Sequence, residues 1–103
     1  MRVKTHNGVA SDACRCGDWL AHWQKASGLV PFFCSEVSCP RRADVGAHVQ
    51  KVDCTDAEWY IVPLCSDHHE RRNATLSIID SAMLVPADPG KSCGRKRGAI
   101  IGA

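Results

Sequence analysis

The stretch that decides the reading runs from Cys34 to His69. It opens with Cys34-Ser35-Glu36-Val37-Ser38-Cys39, passes through Gly46-Ala47-His48-Val49, and closes with Trp59-Tyr60-Ile61-Val62-Pro63-Leu64-Cys65-Ser66-Asp67-His68-His69. Two thiols close in sequence, followed later by a thiol and an imidazole with two residues between them, form the spacing of a four-ligand zinc site. Thiolates and imidazole are borderline-soft donors that suit the tetrahedral preference of zinc, and four protein ligands leave no position open for water. Cys34, Cys39, Cys65 and His68 are therefore the expected ligands of a structural Zn2+. A variant set with His48 in place of His68 has the poorer geometry, because residues three apart on a helix, such as Cys65 and His68, share a face.

Around these ligands the residues alternate. Val45 to Val52 reads as a strand, Glu58 to Val62 as a second, and the turn-rich Asp53-Cys54-Thr55-Asp56 joins them into a hairpin. Pro63 is expected to end the hairpin, and Ser66 or Asp67 to start a helix running through Arg72. Upstream, Leu29-Val30-Pro31-Phe32-Phe33 reads as a short strand entering the cysteine knuckle. The expected fold class is α+β: a small zinc-stapled ββα domain of knuckle, hairpin and helix, with an added N-terminal helix.

That added helix spans residues 18–27. Asp18 is a good N-cap, Trp19, Leu20, Trp23 and Ala26 recur at helical intervals, and Ser27-Gly28 stops the pattern. Its tryptophans are expected to plug the core, and His22 to be a buried histidine with its hydrogen bonds satisfied. Residues 1–13 lack periodicity and read as a frayed lead-in. Leu76-Ser77-Ile78-Ile79 and Ala82-Met83-Leu84-Val85 are expected to lie along the edge of the hairpin, with Ser81 in a turn between them. Pro86 to Pro89 breaks regularity, and 90–103 reads as a flexible basic, glycine-rich tail. The core is placed at 18–86 of a single domain covering 1–103.

Composition bounds the function classes. The chain of 103 residues is 45% hydrophobic and 23% charged, the profile of a folded domain rather than a disordered one. A chain this short gains only modest stability from burial, so a metal staple is physically apt. A net charge of +2 neither requires nor excludes nucleic acid. No apolar run reaches the length of a membrane span. The seven cysteines are an odd number, and Met1 to Asp12 has no apolar core of an export signal. The expectation is a cytoplasmic protein whose thiols serve metal rather than disulfides. Cys14 and Cys16, with His6, His22 or Cys93, form at most a loose half-site, and neither these cysteines nor Cys54 receives a role.

The central stretch resembles the His-Asn-His (HNH) nuclease family, also called the ββα-metal or His-Me finger fold, in its zinc-stapled, treble-clef-like branch. The resemblance rests on Cys34 and Cys39, on Ala47-His48-Val49, on Tyr60-Ile61-Val62-Pro63-Leu64-Cys65 and on Cys65-Ser66-Asp67-His68-His69, about a third of the chain. It implies that His48 matches the general base that activates water for phosphodiester attack. It also implies that His69 matches a ligand of a catalytic Mg2+ or Mn2+. Ala47 stands where many members have a further metal-binding residue, Tyr60 where an asparagine orients the base, and Asn73 where some members have a last histidine. A cation held by His69 alone binds weakly, unless Asp44, Asp53 or Asp67 assists.

Three functions follow from these residues. In the first, a catalytically degenerate HNH-like domain binds nucleic acid or a protein partner, with Arg41, Arg42, Arg71 and Arg72 contacting phosphates. In the second, the chain is an active divalent-metal-dependent endonuclease. The third is a zinc-folded protein–protein interaction module, in which His48 and His69 are structural.

Overall fold

The computed structural model describes residues 1–5, 15–52, 55–71 and 74–94. Along the chain lie β1 (Arg2–Thr5), α1 (Trp19–Ser27), β2 (Val45–Lys51), β3 (Tyr60–Leu64), α2 (Ser66–His69), β4 (Thr75–Ser77) and β5 (Val85–Pro86), followed by a 3-10 turn at Pro89–Lys91. Every strand pairing is antiparallel, and the order across the sheet is β4-β1-β2-β3-β5. The class is α+β as expected, with β2, β3 and α2 consecutive inside a larger sheet. Among the described residues no helix is long and apolar enough to cross a membrane.

The period of two sorts the hairpin side chains onto two faces. Ala47 lies opposite Val62, and Val45 opposite Leu64; with Val49 these join Val3, Leu76, Ile78 and the thiol-bearing Cys34 and Cys65 in one core. His48 lies opposite Ile61 on the other face, where Ile61 packs with Val85 and with Trp23, Trp19 and Ala26 of α1. The hairpin thus separates a metal-side core from a helix-side core.

Helix α1 forms as its sequence predicts. The Asp18 carboxylate accepts from Ala21 N at 2.7 Å, and Gly28, at φ 74°, closes the far end with its N–H on Gln24 O. The helix start lies against β2 because position 46 has no side chain. A Cβ there would sit 2.5 Å from both Leu20 N and Trp19 C, closer than any packed carbon tolerates. His22 is fully buried and satisfied: Nε2 donates to Pro86 O at 2.9 Å, and Nδ1 lies 2.5 Å from Ser92 Oγ. Trp23 fills the helix-side core and donates from Nε1 to Met83 O at 2.8 Å.

Several expectations need correction. Residues 2–5 are not a frayed lead-in: Val3 and Thr5 point inward from β1, which lies between β2 and β4. Thr5 Oγ1 donates to Arg71 O (2.7 Å) and accepts from Ala74 N (2.9 Å), pulling the chain after α2 back to the sheet. That capture coincides with the end of α2 at His69, short of the expected Arg72; residues 72 and 73 lie outside the described set. It also makes β4 a neighbour of β1 rather than of the hairpin, whereas β5 does line the β3 edge. Pro63 does not end the hairpin but pairs with Gly46 inside it. Its carbonyl accepts from Ser35 N at 3.0 Å, so its backbone faces the knuckle and no bond to β2 is lost. The run 29–33 makes only a single bridge, Phe33 to Arg42, and stays largely exposed. The segment 90–94 is ordered by the 3-10 turn, which Asp88 caps; the rest of the expected tail, 95–103, lies outside the described residues.

Candidate metal centre

Three connected pieces of backbone carry the four expected donors to one point. The knuckle is closed by Cys34 N donating to Arg41 O (2.9 Å) and Cys39 N to Glu36 O (3.1 Å). Within it the Glu36 carboxylate accepts from both the N–H and the hydroxyl of Ser38, each at 2.8 Å, and these bonds hold it below its usual carboxyl range. The knuckle is tied to the sheet by Ser35 N on Pro63 O and Ile79 N on Ser35 O, both at 3.0 Å. Cys65 stands at the end of β3 as the N-cap of α2. Its side chain makes no capping bond, and its carbonyl accepts from His69 N at 3.0 Å. One helical turn later comes His68.

All four donor atoms lie within 4.8 Å of one another. Cys39 Sγ and Cys65 Sγ are 3.8 Å apart, and His68 Nδ1 lies 3.5 Å from Cys34 Sγ and 3.2 Å from Cys65 Sγ. A tetrahedron with metal–sulfur bonds of about 2.3 Å and a metal–nitrogen bond of about 2.0 Å has sulfur–sulfur edges of about 3.8 Å and sulfur–nitrogen edges of about 3.5 Å. The cluster therefore has the dimensions of a Cys3His metal site and is compatible with zinc. Burial pushes the Cys34 thiol up to about 11. At Cys65 burial acts the same way, but hydrogen bonding by the His68 N–H and by the neighbouring thiols outweighs it and lowers the thiol below its ordinary value. A cation entering the cluster must displace the Cys34 proton, and its charge then offsets the cost of burying thiolates.

The catalytic expectation does not assemble a second centre. His48 lies half-buried on the helix-side face of β2, its ring edge-on to Trp19 with centroids 4.9 Å apart. His69 is exposed and lines a shallow recess with Asp18, Trp19, Leu20, Asp44, Val45 and Gly46. Among the described residues, no group of three or more metal-donor side chains converges except the Cys3His cluster. The carboxylates considered as helpers are engaged elsewhere: Asp44 accepts from Ser66 Oγ at 3.0 Å, and Asp67 pairs with arginines. Asp53 lies outside the described residues. Tyr60, at the position of the orienting asparagine, donates instead to Asp56, while Lys51 Nζ lies 4.7 Å from its ring centre.

The basic residues divide as well. Arg41 of the knuckle and Arg71 beyond α2 both reach Asp67 Oδ2 at 4.0 Å, with side chains 65% and 57% exposed. Arg42 is exposed across from Phe33, and Arg72 lies outside the described residues. The convergence of Arg41 and Arg71 was invisible in sequence, because Asp67 carries no arginine signal. Cys16 and Cys93 join in a disulfide, Cα atoms 5.3 Å apart, so for these two the expectation that the thiols serve metal rather than disulfides fails, whereas Cys34, Cys39 and Cys65 are free thiols of the cluster. Arg15 N donating to Gly94 O at 2.8 Å brings the two segments together. Cys14, Cys54 and His6 lie outside the described residues.

No family of known proteins, no curated protein and no solved structure matches the chain.

Proposed function

We propose that this chain is a zinc-stapled, HNH-like domain, degenerate as a catalyst, that works by binding nucleic acid through phosphate contacts from Arg41, Arg42 and Arg71. The observation that carries this reading is the meeting of Arg41 and Arg71 on Asp67. They come from the two elements that the Cys3His cluster pins together, and both are solvent-accessible. Exposed ion pairs of this kind contribute about 1 kcal/mol or less. A backbone phosphodiester, which carries the same single negative charge, can therefore take the place of the Asp67 carboxylate at little cost. Loss of catalysis is supported by the donor set: among the described residues neither His48 nor His69 joins a group of three metal-donor side chains, and a divalent cation bound by one imidazole is weak.

Elemental analysis of the purified protein should return about one zinc per chain. Titration with a duplex oligonucleotide should show binding that weakens steeply with salt. Replacing Arg41 and Arg71 together by Gln should lower affinity and flatten the salt dependence by about two phosphate contacts. Cleavage of plasmid DNA in Mg2+ or Mn2+ that disappears in His48→Ala would restore the nuclease. Absence of any salt-sensitive nucleic-acid binding would leave the protein-interaction module as the surviving reading.

A further inference from the structure

The run 29–33, expected to be a strand, instead leaves its aromatic residues in solvent: Phe32 and Phe33 are each 63% exposed. Such exposure of two adjacent rings keeps large apolar area in contact with water, which isolated surface residues seldom do side by side. The rings border a groove of about 390 Å³ whose other walls include Trp23, Leu29, Val30 and Met83, and none of its lining residues is charged. Its walls are braced. Trp23 is tied to Met83 O, and Ser35 is bonded on one side to Pro63 and on the other to Ile79.

Cations stand at both ends of this apolar floor. Phe33 lies directly across from Arg42 in the antiparallel bridge, which puts the two side chains on one face, about 5 Å apart at Cβ. Arg41 adjoins Arg42 in the knuckle. A second recess, sharing Gly28, Leu29 and Val30 with the groove, continues it to Lys25 in the last turn of α1. The one carboxylate inside the knuckle, Glu36, is occupied by Ser38. Exposed aromatic faces on an uncharged floor between guanidinium and ammonium groups match one ligand chemistry closely: unpaired bases that stack, carried on a phosphate chain that the cations follow.

We propose that the Phe32–Phe33 groove is a stacking platform for single-stranded nucleic acid. The proposal rests on the nucleic-acid reading above and specifies its substrate class. A duplex hides its base faces and can use only the arginines, whereas a single strand uses both the rings and the cations. An apolar peptide would use the groove but leave Arg42 and Lys25 without partners.

The test is a fluorescence titration of the zinc-loaded full chain with a short oligothymidylate and with a duplex of equal length, at two salt concentrations. The single strand should bind about tenfold more tightly and quench the Trp23 emission. The double variant Phe32→Ala, Phe33→Ala should lose roughly tenfold per ring toward the single strand, with duplex affinity and zinc content unchanged. Because both rings are exposed, zinc content and circular dichroism should confirm folding; Arg42→Gln supplies an independent arm, lowering the salt slope by about one. Equal binding of single strand and duplex, indifferent to the phenylalanine variants, would overturn the platform and leave the phosphate-binding reading standing. No salt-sensitive binding to either would remove both. Phenylalanine variants that only dissociate a dimer, or only abolish binding of an apolar peptide, would assign the groove to a protein.

Discussion

The two faces of the β2–β3 hairpin treat their polar side chains in opposite ways. On one face Cys34, Cys39, Cys65 and His68 converge until every donor is within 4.8 Å of the others. On the other, His48 meets the edge of Trp19, and His69 lies exposed beside the start of α1. The contrast shows what a site needs beyond the right residue types. The metal-side donors come from a closed knuckle and a single helical turn, whose local hydrogen bonds aim all of them at one point. The helix-side histidines have no such loop. The space in front of them is taken by α1, which Gly46 allows to approach to backbone contact.

Removing one metal donor should have the largest effect. Structural zinc contributes on the order of 10 kcal/mol or more in small domains, comparable with the whole stability of a chain this size. Cys65→Ser is therefore expected to abolish metal retention and cooperative unfolding together, read by metal analysis and thermal circular dichroism. A variant that stays folded with an unchanged melting temperature would erase the distinction between the two faces. On the helix side, Gly46→Ala should force α1 away from β2, at about 1–3 kcal/mol. A chain of this length then melts lower by at least about 4 °C, with zinc content unchanged. If zinc were lost as well, the two faces would be one cooperative unit.

The smallest effect concerns the open end of the hairpin, which belongs to neither face. Donation by Tyr60, then by Glu58 N–H, holds the Asp56 carboxyl below its ordinary value, and the same carboxylate raises the Tyr60 phenol. A lowered carboxyl contributes stability that is present above its unfolded value, about 3.9, and is lost as pH falls through the folded one. A raised phenol contributes below about 10 and is lost as pH rises past its folded value. Tyr60→Phe should therefore flatten both limbs of a stability–pH profile by lowering the plateau between them, the neutral range where both contributions are present. Unaltered limbs would show that this contact does not differ between folded and unfolded chains.

What sequence revealed follows the range of the physics involved. Helix α1, its cap at Asp18, the satisfied burial of His22 and the four clustered donors are all written within a few residues, or in a spacing that suits a metal site. Pro63 continues the strand where proline ordinarily stops one, because its backbone faces the knuckle instead of β2. The Phe32–Phe33 run misled because apolar sequence implies burial, and here the knuckle holds it out. Cys16 and Cys93 are separated by 77 positions, with nothing local to pair them. Arg2-Val3-Lys4-Thr5 has one apolar residue in four, too short an alternation to identify a strand that neighbours complete.

That strand has a consequence in time. β1 pairs Val3 with Lys51 on one side and with Leu76 on the other, so it separates two strands made long after it. β1 precedes both of its neighbours in the chain and has no seat until the hairpin exists, and in the sheet order β4 joins through β1. Such long-range pairing folds slowly, because the loop must close before contacts compensate for it. A ribosome-bound fragment ending near residue 70 would already hold the complete knuckle and all four metal donors, yet half of the hydrogen-bonding edge of β1 would still await its partner.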